Sequence, residues 1–203
     1  SKIRATQWGA KKHYIDYKDL LANPEIDAVE ILTPHNLHAQ MVIDAIKAGK
    51  HVSVQKPMAI SLTECDEMIS ASSASSRISR VFENFMYYPP IAKAKNILDN
   101  GDVGDPISLR IKSARGSHKY GWNVPDSANE WRFDDKQSGG GRTIFDFGYH
   151  VFALAIHLFG EIDQVFAWIR EEALQNGQIM DSPAIISWIY KEGQMIWTIL
   201  QIK

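Results

Sequence analysis

Hydrophobic positions along the first half of the chain follow two alternating periods. Residues 28–32 (Ala-Val-Glu-Ile-Leu) form a short apolar, β-branched run that Thr33-Pro34 stops, because proline lacks the N–H a ladder needs. This predicts a buried strand. From residue 37 to 48 the positions Leu37, Met41, Val42, Ala45 and Ile46 recur at three- and four-residue spacing and Gly49 follows, which predicts a helix with a left-handed stop. A second strand is predicted over 51–54. A second helix begins at the capping box Ser61-Leu62-Thr63-Glu64 and carries the stripe Leu62, Cys65, Met68 and Ile69. The serine-rich stretch 70–76 ends it, and a third strand is predicted over 78–82. Strands separated by short helices imply parallel pairing, since parallel strands need a covering crossover.

The pattern changes after residue 85. A helix is predicted over 91–100, ending at Gly101, and Ile107, Leu109 and Ile111 then alternate with Ser108, Arg110 and Lys112. Period-two segments return at 165–169, 185–190 and 195–200 and predict a mostly antiparallel sheet with one wet or partner-covered face. The expected fold is α/β followed by α+β: a partial doubly wound parallel sheet over residues 1–85, then an open-sheet domain over 86–203. Residues 116–141, rich in glycine, tryptophan and polar groups, lack a periodic signal, and a connection of that length is functional or disordered. If Trp168, Trp188 and Trp197 faced outward from a one-sided sheet, they would leave an apolar patch for a second copy to cover.

Composition narrows the range of partners. The 203 residues are 45% hydrophobic, enough for a sizeable core, and 22 Lys+Arg against 24 Asp+Glu give a net charge of −2. Neither nucleic acid nor an acidic membrane surface is expected as a partner. One cysteine, Cys65, cannot form an internal disulfide or a thiolate cage, which fits a reducing, cytoplasmic setting. No apolar run has the length of a membrane span.

Three stretches could carry chemistry. Thr33-Pro34-His35-Asn36-Leu37-His38 follows a strand and opens a helix, where open α/β sheets place ligands. Its two histidines could also be ordinary polar residues of a helix start; a metal site is not expected, because no acidic or sulfur partner lies nearby. Gln55-Lys56-Pro57 follows the second strand, which puts Lys56 either over the ligand crevice or in a surface loop. The third is Ser138-Gly139-Gly140-Gly141 through His150. A helical course puts Asp146 and His150 four residues apart on one face, within hydrogen-bonding reach, so a carboxylate could fix the imidazole tautomer for a general base. Alternatively, Asp146 lies near the helix N-terminus, stabilised by the macrodipole, and His150 is satisfied in the core. The triple glycine does not follow a buried strand and is not a phosphate loop.

Taken together, Thr-Pro-x-x-x-His, Gly-Lys-His-Val-x-x-x-Lys-Pro and Gly-Gly-x-x-x-x-Asp-x-Gly-x-His, in this order and at these distances, resemble the Gfo/Idh/MocA oxidoreductases, named for glucose–fructose oxidoreductase and inositol dehydrogenase. The resemblance implies an NAD(P)-binding Rossmann domain followed by a domain whose open antiparallel sheet carries the substrate and often forms an oligomer interface. It implies that Lys56 is the catalytic lysine, that Asp146 and His150 are the substrate-binding acid and base, and that Thr33, Pro34, Asn36 and His38 line the nicotinamide end of the cofactor. Asn84 matches a polar position near the active site. Gln55 stands where the family has glutamate, keeping a hydrogen-bonding group and losing its charge. No Gly-x-Gly-x-x-Gly occurs and the predicted elements begin near the family's second helix, so the sequence is expected to be an internal part of a longer enzyme, incomplete at both ends.

The expected activity is hydride transfer between NAD or NADP and a secondary alcohol of a sugar or polyol, in a homo-oligomer. His150 would take the hydroxyl proton, Asp146 would orient it, and Lys56 would bond the developing oxygen. Trp122, Trp131 and Tyr120 could stack on a sugar face, and Arg132 could meet an anionic substituent. Two other outcomes fit the same motifs: NAD-dependent glycoside cleavage, and a non-catalytic sugar- or nucleotide-sensing regulator.

Overall fold

A computed structural model describes residues 2–113, 128–173, 179–181, 184–191 and 197–202, the last segment through its backbone. The chain divides into two compact units, Ser1–Phe82 and Glu83–Lys203.

The first unit is a three-stranded parallel sheet of order β1-β2-β3, built from β1 (Ala28–Ile31), β2 (His51–Gln55) and β3 (Ser79–Phe82). It is preceded by the short helices α1 (Lys2–Trp8) and α2 (Tyr17–Leu21). The crossovers are α3 (His38–Lys47), entered through a 3₁₀ turn at His35–Leu37, and α4 (Leu62–Ser73). β2 buries Val52 and Val54 against Val42, Ala45 and Ile46 of α3 and Met68 of α4, so alternation on the strand meets 3.6-residue periodicity on the helices. The stripe expected on α4 is only partly inward: Met68 is buried, whereas Leu62 in the first turn and Ile69 beside Met68 face solvent. Ile31 of β1 pairs with Val54 of β2, which brings the Thr33 and Lys56 loops to the same carboxyl edge.

The second unit begins with a 3₁₀ turn at Phe85–Tyr87 and α5 (Pro89–Asp99). Its four-stranded sheet has the order β4-β9-β8-β5, with β4 (Ser108–Ser113), β5 (Ile162–Ile169), β8 (Ala184–Tyr190) and β9 (Trp197–Ile202). β8 pairs antiparallel with β5 and β9, while β4 and β9 are parallel, so the sheet is mixed as well as mostly antiparallel. Between β5 and β8, β6 (Glu172–Ala173) and β7 (Ile179–Met180) form a small antiparallel pair. Residues 130–133 form a 3₁₀ turn, α6 spans Asp135–Ser138, and α7 spans Gly148–Phe159. The core joins Val151 and Ala155 of α7 to Ile186, Trp188 and Tyr190 of β8.

Trp188 does not contribute to an outward patch. It is 1% exposed, and its indole N–H donates to the Tyr190 hydroxyl at 2.8 Å, because inward positions of β8 alternate with outward ones. Trp168, on the edge strand β5, is half exposed, and the Trp197 side chain lies outside the described residues.

Candidate functional site

In the first unit, the carboxyl edge of the parallel sheet carries the loops after β1 and β2. His38 ties them together. Its ring is fully buried, with Nδ1 at 2.9 Å from the Pro57 carbonyl oxygen and Nε2 at 3.1 Å from that of Thr33. Burial holds its pKa below the usual imidazole value, against the pull of the two carbonyls. The ring expected beside a cofactor is thus turned into the protein, where it joins two loops. The Lys56–Pro57 peptide is cis, and Gln55 Oε1 accepts from the Lys56 amide at 3.0 Å. Lys56 itself is half-buried.

Thr33 Oγ1 and Asn36 Oδ1 are buried without a hydrogen-bond partner, and Pro34, between β1 and the 3₁₀ turn, is half-buried beside them in sequence. Buried polar atoms are ordinarily satisfied, because desolvation without a partner costs about 1–3 kcal/mol. Two orphans on one short loop at a sheet's carboxyl edge fit a ligand that brings N–H or O–H donors, as a nicotinamide carboxamide and a ribose do.

In the second unit, His150 lies in the first turn of α7. Both carboxylate oxygens of Glu83 approach its Nδ1, at 2.9 and 2.7 Å, and both side chains are largely buried. The Phe85 ring stacks on the imidazole at 4.2 Å with planes 10° apart, and the Phe147 ring meets it edge-on at 6.0 Å. The Phe85 amide donates to Glu83 Oε1 at 2.8 Å. Asp146, also buried, is bonded by the Arg132 guanidinium, which lies 4.4 Å over the Trp131 ring.

The carboxylate on His150 Nδ1 therefore belongs to Glu83, where sequence spacing pointed to Asp146. The physical reason is local. Residues 142–147 are a π-helix, in which the Asp146 amide bonds the Gly141 carbonyl five residues back, so the segment that enters α7 lacks the uniform α-helical course on which the pairing of Asp146 with His150 was read. Asn84 is exposed and begins the 3₁₀ turn that its neighbour Glu83 precedes. Glu83 itself carried one legible signal: an acid placed directly after a strand, at a carboxyl edge. Trp131 donates its indole N–H to the Ala128 carbonyl at 3.1 Å; Trp122 and Tyr120 lie outside the described residues. Among the described residues, no three His, Cys, Asp or Glu side chains cluster as a metal site would require.

Two family models cover nearly the whole chain. Residues 1–83 match the model described as an oxidoreductase family with an NAD-binding Rossmann fold, and residues 91–196 match the GFO/IDH/MocA C-terminal domain. The chain belongs to the Gfo/Idh/MocA oxidoreductase family. Among Gfo/Idh/MocA relatives, it is 34% identical over 178 residues to a levoglucosan dehydrogenase of Pseudarthrobacter phenanthrenivorans, covering 85% of this chain and 44% of that protein. It is 29% identical over 192 residues to a myo-inositol 2-dehydrogenase of Thermotoga maritima, covering 92% of this chain and 53% of that protein. A solved levoglucosan dehydrogenase in complex with NADH and levoglucosan superposes with a TM-score of 0.83 at 27% identity, over 98% of this chain and 53% of that one. The chain spans about half the length of the relatives it matches.

Proposed function

We propose that the protein is an NAD(P)-dependent dehydrogenase acting on a secondary alcohol of a sugar or polyol. The observation that carries this reading is the buried acid–imidazole pair of Glu83 and His150, in a chain of an oxidoreductase family. An alcohol gives up hydride readily only as its hydroxyl proton leaves, so the site needs a base whose second nitrogen is already committed. His150 is assigned as that base. Lys56 is assigned as the cation that steadies the oxygen as negative charge builds on it. Asp146, with Arg132 and Trp131, is assigned to the substrate's other hydroxyls and its apolar face.

Thr33, Pro34 and Asn36 would hold the nicotinamide end of the cofactor, with Gln55 at the neighbouring strand end. When bound, the cofactor supplies a two-electron hydride acceptor. The names of the relatives support sugar and polyol substrates. The same reading includes a homo-oligomer and, from the single free cysteine, a reducing cytoplasmic setting. Among the described residues no helix is long and apolar enough to cross a membrane.

The test is His150→Ala in the full-length protein, assayed by nicotinamide absorbance over a panel of sugars and polyols. Turnover should fall by about 10²–10⁴-fold, the contribution of a positioned general base, with cofactor affinity retained. Unchanged turnover overturns the assignment.

A further inference from the structure

Resting on the reading of His150 as the base, we infer that Glu83 is the positioning residue that makes it one, and that Asp146 is not. A carboxylate only accepts hydrogen bonds. Two oxygens of Glu83 at 2.9 and 2.7 Å from Nδ1 therefore place the proton of the neutral imidazole on Nδ1 and make Nε2 the nitrogen with the lone pair. When Nε2 takes a hydroxyl proton, the resulting imidazolium is paired with a carboxylate that is 5% exposed, where water does little to dilute the attraction.

The pair is held from three sides. The Phe85 amide fixes Glu83 Oε1 at 2.8 Å, the Phe85 ring lies flat on the imidazole, and the Phe147 ring closes a second side. Glu83 and Phe85 thus act as one clamp, two residues apart in the chain. The charge of Asp146 is met by the Arg132 guanidinium, so its field at a developing imidazolium is partly cancelled. Glu83, by contrast, directs its charge at the ring through both carboxylate oxygens.

Glu83→Gln retains the shape and an acceptor but removes the charge. Relative to the parent, kcat should fall by about 10²-fold, the cofactor KM should change by less than about twofold, and the acid limb of the kcat/KM profile should move down by about one pH unit. Asp146→Asn should leave that limb where it is. A limb unmoved in Glu83→Gln, or moved by Asp146→Asn instead, overturns the inference. Nitrogen-15 NMR of the unsubstituted protein needs neither a variant nor turnover: the Nδ1–H tautomer of His150 near neutral pH is expected, and the Nε2–H tautomer overturns the inference. If His150→Ala keeps full turnover, the base reading itself has failed. If His150→Ala is inactive and the Glu83→Gln limb is unmoved, only the assignment of Glu83 has failed.

Discussion

His38 faces two carbonyl oxygens with a ring that carries a single N–H when neutral. Protonation would satisfy both, yet burial opposes it more strongly, and the pKa lies below the ordinary value. The unfolded chain takes up this proton first as pH falls. The contribution of His38 is therefore present above the ordinary imidazole pKa of about 6.5 and is lost below it, by at most about 1.4 kcal/mol per pH unit. Urea unfolding at pH 7.5 and 5.5 should show this loss in the parent and a smaller pH difference in His38→Gln. Equal differences in the two proteins would contradict it. Tyr17 gives the opposite sign: its hydroxyl donates to Asp44 at 2.7 Å, and that bond, with burial, raises its pKa to about 12. Its contribution is complete below the ordinary phenol value of about 10 and is lost as pH rises toward the folded value. Tyr17→Phe, which unties α2 from α3, should cost about 1 kcal/mol at neutral pH.

Helix α4 starts as its sequence predicts. Ser61 Oγ accepts from the Glu64 amide at 3.2 Å, and Glu64 Oε2 accepts in return, from the Ile60 amide at 3.0 Å rather than from Ser61. Ser61→Ala should cost about 1 kcal/mol in chemical denaturation. Elements of this kind were legible because caps and periodicity are local signals: the strands at 28–31, 51–55 and 79–82 and helix α3 follow directly from them. The π-helix at Arg142–Phe147 was not legible, because its extra residue per turn is imposed from elsewhere in the chain. Asp181, some forty positions downstream, accepts from the Thr143 and Ile144 amides at 2.7 and 2.6 Å and caps the widened turn. Its carboxylate sits where a side chain at 141 would be: a Cβ on Gly141 would lie 2.0 Å from Asp181 Oδ2. Gly141→Ala should displace this cap and cost about 3 kcal/mol, the scale of two hydrogen bonds to a charged group, seen as a lowered unfolding midpoint. An unchanged midpoint would mean that the cap contributes little.

Sequence patterns identify partners a few residues apart and are silent about those far apart. Glu83 and His150 are separated by 67 positions, and no periodicity links them, which is why the motif residue was visible and its pairing with Glu83 was not. The phase of the tryptophans was hidden for a related reason, since which face of β8 is inward depends on where α7 packs. What remains outward is the edge strand β5, where Val165, Phe166 and Trp168 are at least half exposed. An apolar edge of this kind invites a partner. If a second copy covers it, Phe166→Glu should lower the mass measured by light scattering toward one protomer while leaving far-ultraviolet dichroism intact; an unchanged mass would exclude β5 from the contact.

The C-terminal family model begins at residue 91, yet the groups that grip His150 from the amino-terminal side are Glu83 and Phe85. A chimaera spliced between relatives at that seam would inherit the imidazole from one parent and its counter-ion from the other. Grafting that aims to keep the pair from a single parent should instead join the parents upstream of Glu83.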